Sequence, residues 1–249
     1  MAVVQEERDR VLVVRIEREE KRNAIDRETT DGIEAALDRL DDDPGFLVGV
    51  ITGTATVFSA GTDLNEPVSP ATERGGEYGV IRRRRVKPLI AAVEGPAFGG
   101  GFEIVLASDL VVASTTARFA LPESRRGLVA SSGGLFRALR SLPVNVAREL
   151  LLTGRELDVR RAHELGLVNR LTSPGGAVEA AIAMAGEICA SSPVSVRETL
   201  RAIAAQQEAD DDLGWSATAA AQETILASED RVEGIAAFLE RRPPRWQGR

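Results

Sequence analysis

Apolar residues fall in short, nearly unbroken runs through the first half of the chain: VLVVRIERE (11–19), FLVGVITGT (46–54), PLIAAVEG (88–95) and DLVVAS (109–114). Runs of this length, rich in β-branched residues and bounded by glycine or charge, predict strands buried on both faces. Between the first two lies DRETTDGIEAALDRLDDD (26–43), whose apolar spacing and acidic start predict a helix and complete a β-α-β unit. FEIVLAS (102–108) predicts a buried helix ahead of the fourth run. This alternation implies an α/β fold with a largely parallel sheet covered by helices. Beyond about residue 133 the pattern turns helical almost throughout, broken at Pro143, Gly166, SPGG (173–176), Pro193 and Gly214. The division expected is a core over 1–190 and a helical C-terminal region over 191–249.

Composition narrows the chemistry. The chain has 249 residues, 43% of them hydrophobic, enough to bury a sizeable core. A formal net charge of -7 and a pI near 5.1 argue against nucleic acid or an anionic membrane held by bulk electrostatics. Cys189 is the only cysteine, which rules out an intramolecular disulfide framework and a cysteine-cluster metal site. The start MAVVQEERDR carries charge where a signal peptide needs apolar residues, so the expected location is cytoplasmic, with no membrane partner. His163, the only histidine, sits in VRRAHELGLVNR on what reads as an amphipathic helix, and a structural or solvent-facing place is expected for it. No GxxxxGK[ST] run is present, and GGGFE lacks the spacing of a dinucleotide fingerprint. Catalysis, if present, then falls to carboxylates and backbone groups.

EGPAFGGGFEIVLASD (94–109) offers both. Its three glycines join a strand to a helix start, where unpaired N–H groups and the positive dipole end favour a negatively charged oxygen. Glycine there admits close approach and positive φ. VFSAGTDL (57–64) ends another strand-like segment in a small-residue turn that could present the Thr62 N–H. Two such donors on one thioester oxygen would stabilise an enolate. Glu103, in the first helical turn, and Glu123, in ARFALPES after a short apolar strand, are candidate proton-transfer groups. Taken singly, each feature has a plain structural reading: a tight turn, a dipole-favoured glutamate, a cap after Pro122.

Together and in order, the motifs resemble the crotonase, or enoyl-CoA hydratase/isomerase, superfamily. The likeness runs through KRNAI (21–25), FSAGTDL (58–64), KPLIAAVEGPAFGGGFEIVLASDL (87–110), ARFALPESRRGL (117–128), the glycine pair at 133, ELLLTGRELDVRRAHELGLVN (149–169) and SEDRVEGIAAFLERRPPRWQGR (228–249). It implies a spiral of repeated ββα units, with the C-terminal helices trimerising into a homotrimer or dimer of trimers. By the same resemblance, the backbone N–H groups of Thr62 and Gly100 form an oxyanion hole. Glu103 and Glu123 then hold a water against Cβ of a 2-enoyl thioester, and Glu123 exchanges the proton at Cα. Lys21, Arg22, Ala24, Ala60, Phe238 and Arg241 fall at positions that bind the coenzyme A part of the substrate. No metal or separate cofactor is implied, since coenzyme A enters with the substrate.

The segment NEPVSPATERGGEYGV (65–80) borders the acyl pocket in the family and has little apolar content here. Arg125 and Arg126 directly follow the catalytic turn, and serines stand where many relatives carry proline or glycine. The run IRRRRVKP (81–88) reads either as positive potential for phosphates or as a helix exposing its arginines. The expected activity is hydration of a short to medium 2-enoyl-CoA. The alternatives are an enoyl-CoA isomerase, a crotonobetainyl-CoA hydratase-like lyase, or a non-catalytic binding module.

Overall fold

The computed structural model describes residues 2–66 and 68–249, so Met1 and, within the 65–80 segment, Pro67 lie outside the described residues. The apolar runs become one six-stranded sheet. β1 (Val3–Arg8) and β2 (Val11–Ile16) form an antiparallel edge hairpin, and β3 (Val48–Thr52) follows β2 in parallel. After the two-residue hairpin strands β4 (Ala71–Thr72) and β5 (Gly76–Glu77), the sheet resumes with β6 (Leu89–Val93). The short strand β7 (Pro96–Phe98) belongs elsewhere, and β8 (Leu110–Ser114) pairs in parallel with β6.

A second sheet collects the short strands. β7 pairs in parallel with β9 (Arg118–Ala120), which pairs antiparallel with β10 (Glu156–Asp158), while β11 (Arg170–Thr172) closes the large sheet beside β8. Single bridges from Ser59 to Ala97 and from Ile25 to Thr62 carry the second sheet outward. Each turn of the spiral thus gives one long strand to the first sheet, one short stretch to the second, and commonly a helix: β2, Ile25 and α1 (Arg27–Asp42); β6, β7 and α2 (Gly100–Ala107).

Side chains alternate across the large sheet, and both faces are covered, which is why its strands read as unbroken apolar runs. Val11, Val13, Val48, Val50, Ile90 and Ala92 share a cluster with Ala181, Met184 and Ala185 of a later helix; Leu12, Val14, Ile51, Leu89 and Ala91 join the main core with Ile33 and Leu37 of α1 and Phe102 of α2. The helices α3 (Gly134–Ser141), α4 (Val144–Thr153), α5 (Val159–Glu164) and α6 (Ala177–Cys189) follow, the last being the cover just named. Glu94, though buried beside the glycine motif, accepts the Ala177 N–H at the start of α6 at 3.0 Å and so serves as a helix cap. Beyond residue 190 come α7 (Pro193–Leu226), 34 residues and so about 50 Å long, and α8 (Glu229–Leu239). Among the described residues no single helix is long and apolar enough to cross a membrane.

Several expectations are corrected. α2 starts at Gly100, inside the glycines, and the stretch beyond 133 contains β10 and β11. β1 lies in the charged start; its side chains are nearly all exposed at the edge, so no apolar alternation announces it. The arginine run is neither a phosphate patch nor an exposed helix. Arg83 is buried against Asp38 (2.6 Å) and Asp41 (2.8 Å), Arg85 meets Asp109 at 2.8 Å, Arg82 meets Glu77 at 2.9 Å, and Arg84 pairs with Glu208. A buried guanidinium is tolerated because carboxylates match it. His163 faces solvent at the end of α5, with its Nδ1 2.7 Å from the Val168 carbonyl oxygen, in keeping with the structural or solvent-facing place expected.

Candidate active site

The three glycines do two different jobs. Gly99, at φ 53° and ψ -124°, turns the chain from β7 into α2 in a conformation that a Cβ resists. A Cβ on Gly100 would stand 2.6 Å from Cζ of Tyr78, and one on Gly101 2.5 Å from the Ser59 carbonyl oxygen. These two admit neighbours that a side chain would push away.

The amides left open here follow from the topology. Ile25 N–H bonds to the Gly61 carbonyl at 2.8 Å and Asp63 N–H to the Ile25 carbonyl at 2.9 Å, so this bridge uses the residues flanking Thr62 and turns the Thr62 N–H to the other side. On that side the ladder ends, because the chain leaves β7 and enters α2. Gly100 is the first residue of that helix, whose leading N–H groups have no intrahelical acceptor. Among the described residues neither N–H donates to an acceptor, and a Cβ on Gly61 would stand 2.8 Å from the Gly100 nitrogen, which puts the two turns against each other.

A cavity of about 270 Å³ opens beside them, lined by Ala60, Thr62, Tyr78, Gly100, Glu103, Glu123 and Arg126 among others. Glu103 is 2% exposed, and its Oε1 accepts the N–H groups of Ser132 (2.8 Å) and Gly134 (2.9 Å). Those donors come from the turn leading into α3 and from its first residue, where the sequence has SSGG. Glu123 occupies the short 3-10 helix Pro122–Arg126 after β9. A Cβ on Gly99 would lie 3.0 Å from Glu123 Oε1, and Glu123 Oε2 is buried without a hydrogen-bond partner among the described residues. Burial pushes both carboxyls well above the usual carboxylate range, and the Glu123 charge raises Glu103 further. Such a pair holds a proton near neutral pH and titrates as a unit.

That displacement has a stability signature. The folded Glu103 carboxyl is raised from 4.5 to about 8, so its stabilising contribution is present below about pH 4.5 and is lost as pH rises through about 8. Glu103→Gln cannot ionise; its Tm relative to wild type should therefore climb by at least about 4 °C between about pH 5 and about pH 9. A Tm difference that stays constant across this range would show that Glu103 is not held protonated.

α8 closes over the Glu123 turn. A Cβ on Gly127 would stand 2.8 Å from the carbonyl carbon of Asp230, and one on Gly234 2.8 Å from the Gly127 nitrogen. The Arg126 guanidinium lies 4.4 Å from the centroid of Phe238. Of the sequence-derived coenzyme positions, Ala60 lines the cavity, and its N–H bonds to the Arg22 carbonyl at 3.0 Å. Asn23 is buried and donates to the Val57 carbonyl at 2.9 Å, fixing the loop that carries the exposed Lys21 and Arg22 and the half-buried Ala24. Phe238 meets the site through Arg126, whereas Arg241 is exposed at the end of α8 and does not line the cavity. Sequence reasoning gave no role to Tyr78 or Ser69, in the low-apolar 65–80 segment, or to Ser132, in the SSGG turn, because isolated hydroxyls carry no periodic signal.

The family described as enoyl-CoA hydratase/isomerase matches residues 6–249. The chain is 37% identical over 240 residues to carnitinyl-CoA dehydratase of Proteus mirabilis, covering 92% of each, and 34% identical to the enoyl-CoA hydratase EchA19 of Mycobacterium tuberculosis, covering 98% of this chain and 96% of the relative. It is also similar to the crystal structure of carnitinyl-CoA hydratase from Mycobacterium avium, with a TM-score of 0.93 and 38% identity over 100% of this chain and 99% of the other.

Proposed function

The chain belongs to the enoyl-CoA hydratase/isomerase family, and from that premise we propose that it adds water across the 2,3 double bond of a 2-enoyl-CoA, giving the 3-hydroxyacyl-CoA, and runs the reverse dehydration. One observation carries the reading: the buried Glu103 and the half-buried Glu123, whose Oε2 is itself buried, line the same cavity as two open amides. An isomerase needs one dominant carboxylate, whereas hydration uses two, one to take a proton from water and one to deliver a proton to carbon.

The thioester oxygen lies between the N–H groups of Thr62 and Gly100. Water held by Glu103 and Glu123 attacks Cβ as a carboxylate removes its proton, and the π electrons move onto the thioester oxygen. The amides hold that enolate charge. Glu123 then gives its proton to Cα, which restores the carbonyl. The pair works when it carries one proton, and burial keeps one bound near neutral pH. Incubation with crotonyl-CoA tests the proposal through loss of the conjugated enoyl-thioester absorbance; ligand binding without turnover would point to the isomerase. The hydroxyls of Thr62, Ser69 and Tyr78 and the amide of Asn65 in the cavity favour a polar acyl group as the second reading, for which carnitinyl-CoA is the substrate to try.

Arg126 acts on this chemistry by its charge, which opposes the rise of the Glu123 carboxyl. Removing the charge should let Glu123 keep its proton to higher pH. Arg126→Met is therefore expected to move the alkaline limb of the kcat/KM profile up by about 0.5 unit or more. An unmoved limb would separate Arg126 from the acid–base pair.

Residues 1–190 form the site-bearing core in this reading, and 191–249 the assembly region of a homotrimer or dimer of trimers. α7 supports this, since its Val194, Ile203 and Leu213 are exposed, Leu213 at 73%, while its last turn and α8 also lend Gln222, Ile225, Leu226 and Ile235 to the cavity wall. The expected solution mass by light scattering is about three or six times the 26.6 kDa chain, and a monomer would count against trimerisation. The single thiol, Cys189, suits a cytoplasmic enzyme.

A further inference from the structure

Tyr78 is the only tyrosine, 1% exposed, and its backbone sits at φ 57°, where a non-glycine residue is uncommon. Filling this volume would need only a phenyl ring, yet the residue carries a hydroxyl into the interior. That hydroxyl lies 2.8 Å from Thr62 Oγ1 and 3.0 Å from Ser69 Oγ. Ser132 Oγ donates to Ser69 Oγ at 3.3 Å, and the Ser132 N–H holds Glu103 Oε1 at 2.8 Å. The ring itself presses on Gly100, where a Cβ would stand 2.6 Å from Cζ and 2.8 Å from Cε2. One side chain therefore bears on both residues whose N–H groups face the cavity, and is tied through two serines to the anchor of Glu103.

Thr62 needs such support. Backbone bonds fix it from one side only, through the bridge to Ile25, and the ladder stops on the other. Gly100 has no side chain of its own to limit its position. We propose that Tyr78 is a positioning residue: its hydroxyl holds Thr62 and its ring stops Gly100, so that together they set the separation of the two oxyanion-hole amides. The inference rests on the oxyanion-hole reading above. The phenol acts as a neutral hydrogen-bonding group, since burial pushes its proton loss far above the usual tyrosine range.

The test uses 4-dimethylaminocinnamoyl-CoA, whose absorbance moves to longer wavelength when its thioester carbonyl is polarised. Wild type should show the red shift on binding. Tyr78→Phe keeps the ring and is expected to bind this probe within about three-fold of wild type, lose half or more of the shift, and lower kcat on crotonyl-CoA about ten-fold with KM little changed. Thr62→Val breaks the same bond from the other side while retaining the amide, so it should reproduce the loss, and the double variant should be no worse than either single one. If Tyr78→Phe or Thr62→Val keeps the full shift and kcat, the positioning role is overturned. A wild type that binds the probe without any shift overturns the oxyanion hole itself, and the inference with it, so the two failures are told apart.

Discussion

Glu123→Gln lowers kcat for crotonyl-CoA hydration by about 10³-fold while the coenzyme part of the substrate still binds. Glutamine matches the carboxyl in size, so the loss isolates the proton rather than the shape of the site. Its consequence is specific: with no proton to give Cα, the enolate formed by water attack reverts. Glu103→Gln is expected to fall by a similar factor, because an amide cannot exchange a proton with the water or share the pair's one proton. In the proposed mechanism the two carboxyls act on one water and one enolate, so the double variant should fall far short of the product of the single effects. Rates are read from the disappearance of the enoyl-thioester absorbance. Turnover of Glu123→Gln within about ten-fold of wild type would remove it from the proton-transfer step, and substantial double-bond migration by Glu103→Ala would move the activity to the isomerase.

Gly100→Ala is the second large effect. The added Cβ meets the Tyr78 ring at 2.6 Å, and that ring is buried to 1% exposure with its hydroxyl bonded on two sides, so it has no room to retreat. The Gly100 amide must move instead. Displacing one oxyanion donor costs about 10²–10³ in kcat, and the overpacking costs a further ~1–3 kcal/mol of stability. Gly186→Ala in α6 is the control, because a Cβ there meets nothing within 4 Å, and exchange of a helical glycine for alanine raises stability by up to about 1 kcal/mol. A fully active Gly100→Ala would place the oxyanion donor elsewhere.

Much of the site is legible in the chain itself. Glu103 stands out because a carboxylate follows three glycines at a strand-to-helix junction, and Glu123 because it follows a short apolar strand and a proline. Glu94, in the same motif, shows the limit: it is as buried as a catalytic acid, yet its carboxylate caps α6 from 83 residues away. Type and local spacing do not separate a cap from a catalyst. The arginine run makes the same point for charge. Its four guanidinium groups are paired with Glu77, Asp38, Asp41, Glu208 and Asp109, most of them distant in sequence, so no local rule separates a buried, matched cation from a phosphate-binding one.

The sequence by itself determined the strand-helix alternation and the helical C-terminal region and pointed to the carboxylates and amides proposed to act, because burial on both sheet faces and the demand for residues without Cβ are written locally. Tertiary structure alone decided that the Thr62 N–H is turned away from its own bridge, that β7 stops where this amide would have been paired, and that Tyr78 is lodged between the two donors. Those features arise where separate turns of the spiral meet, at contacts such as Ile25 with Thr62 and Gly61 with Gly100, and chains folded another way could carry the same local patterns without making them.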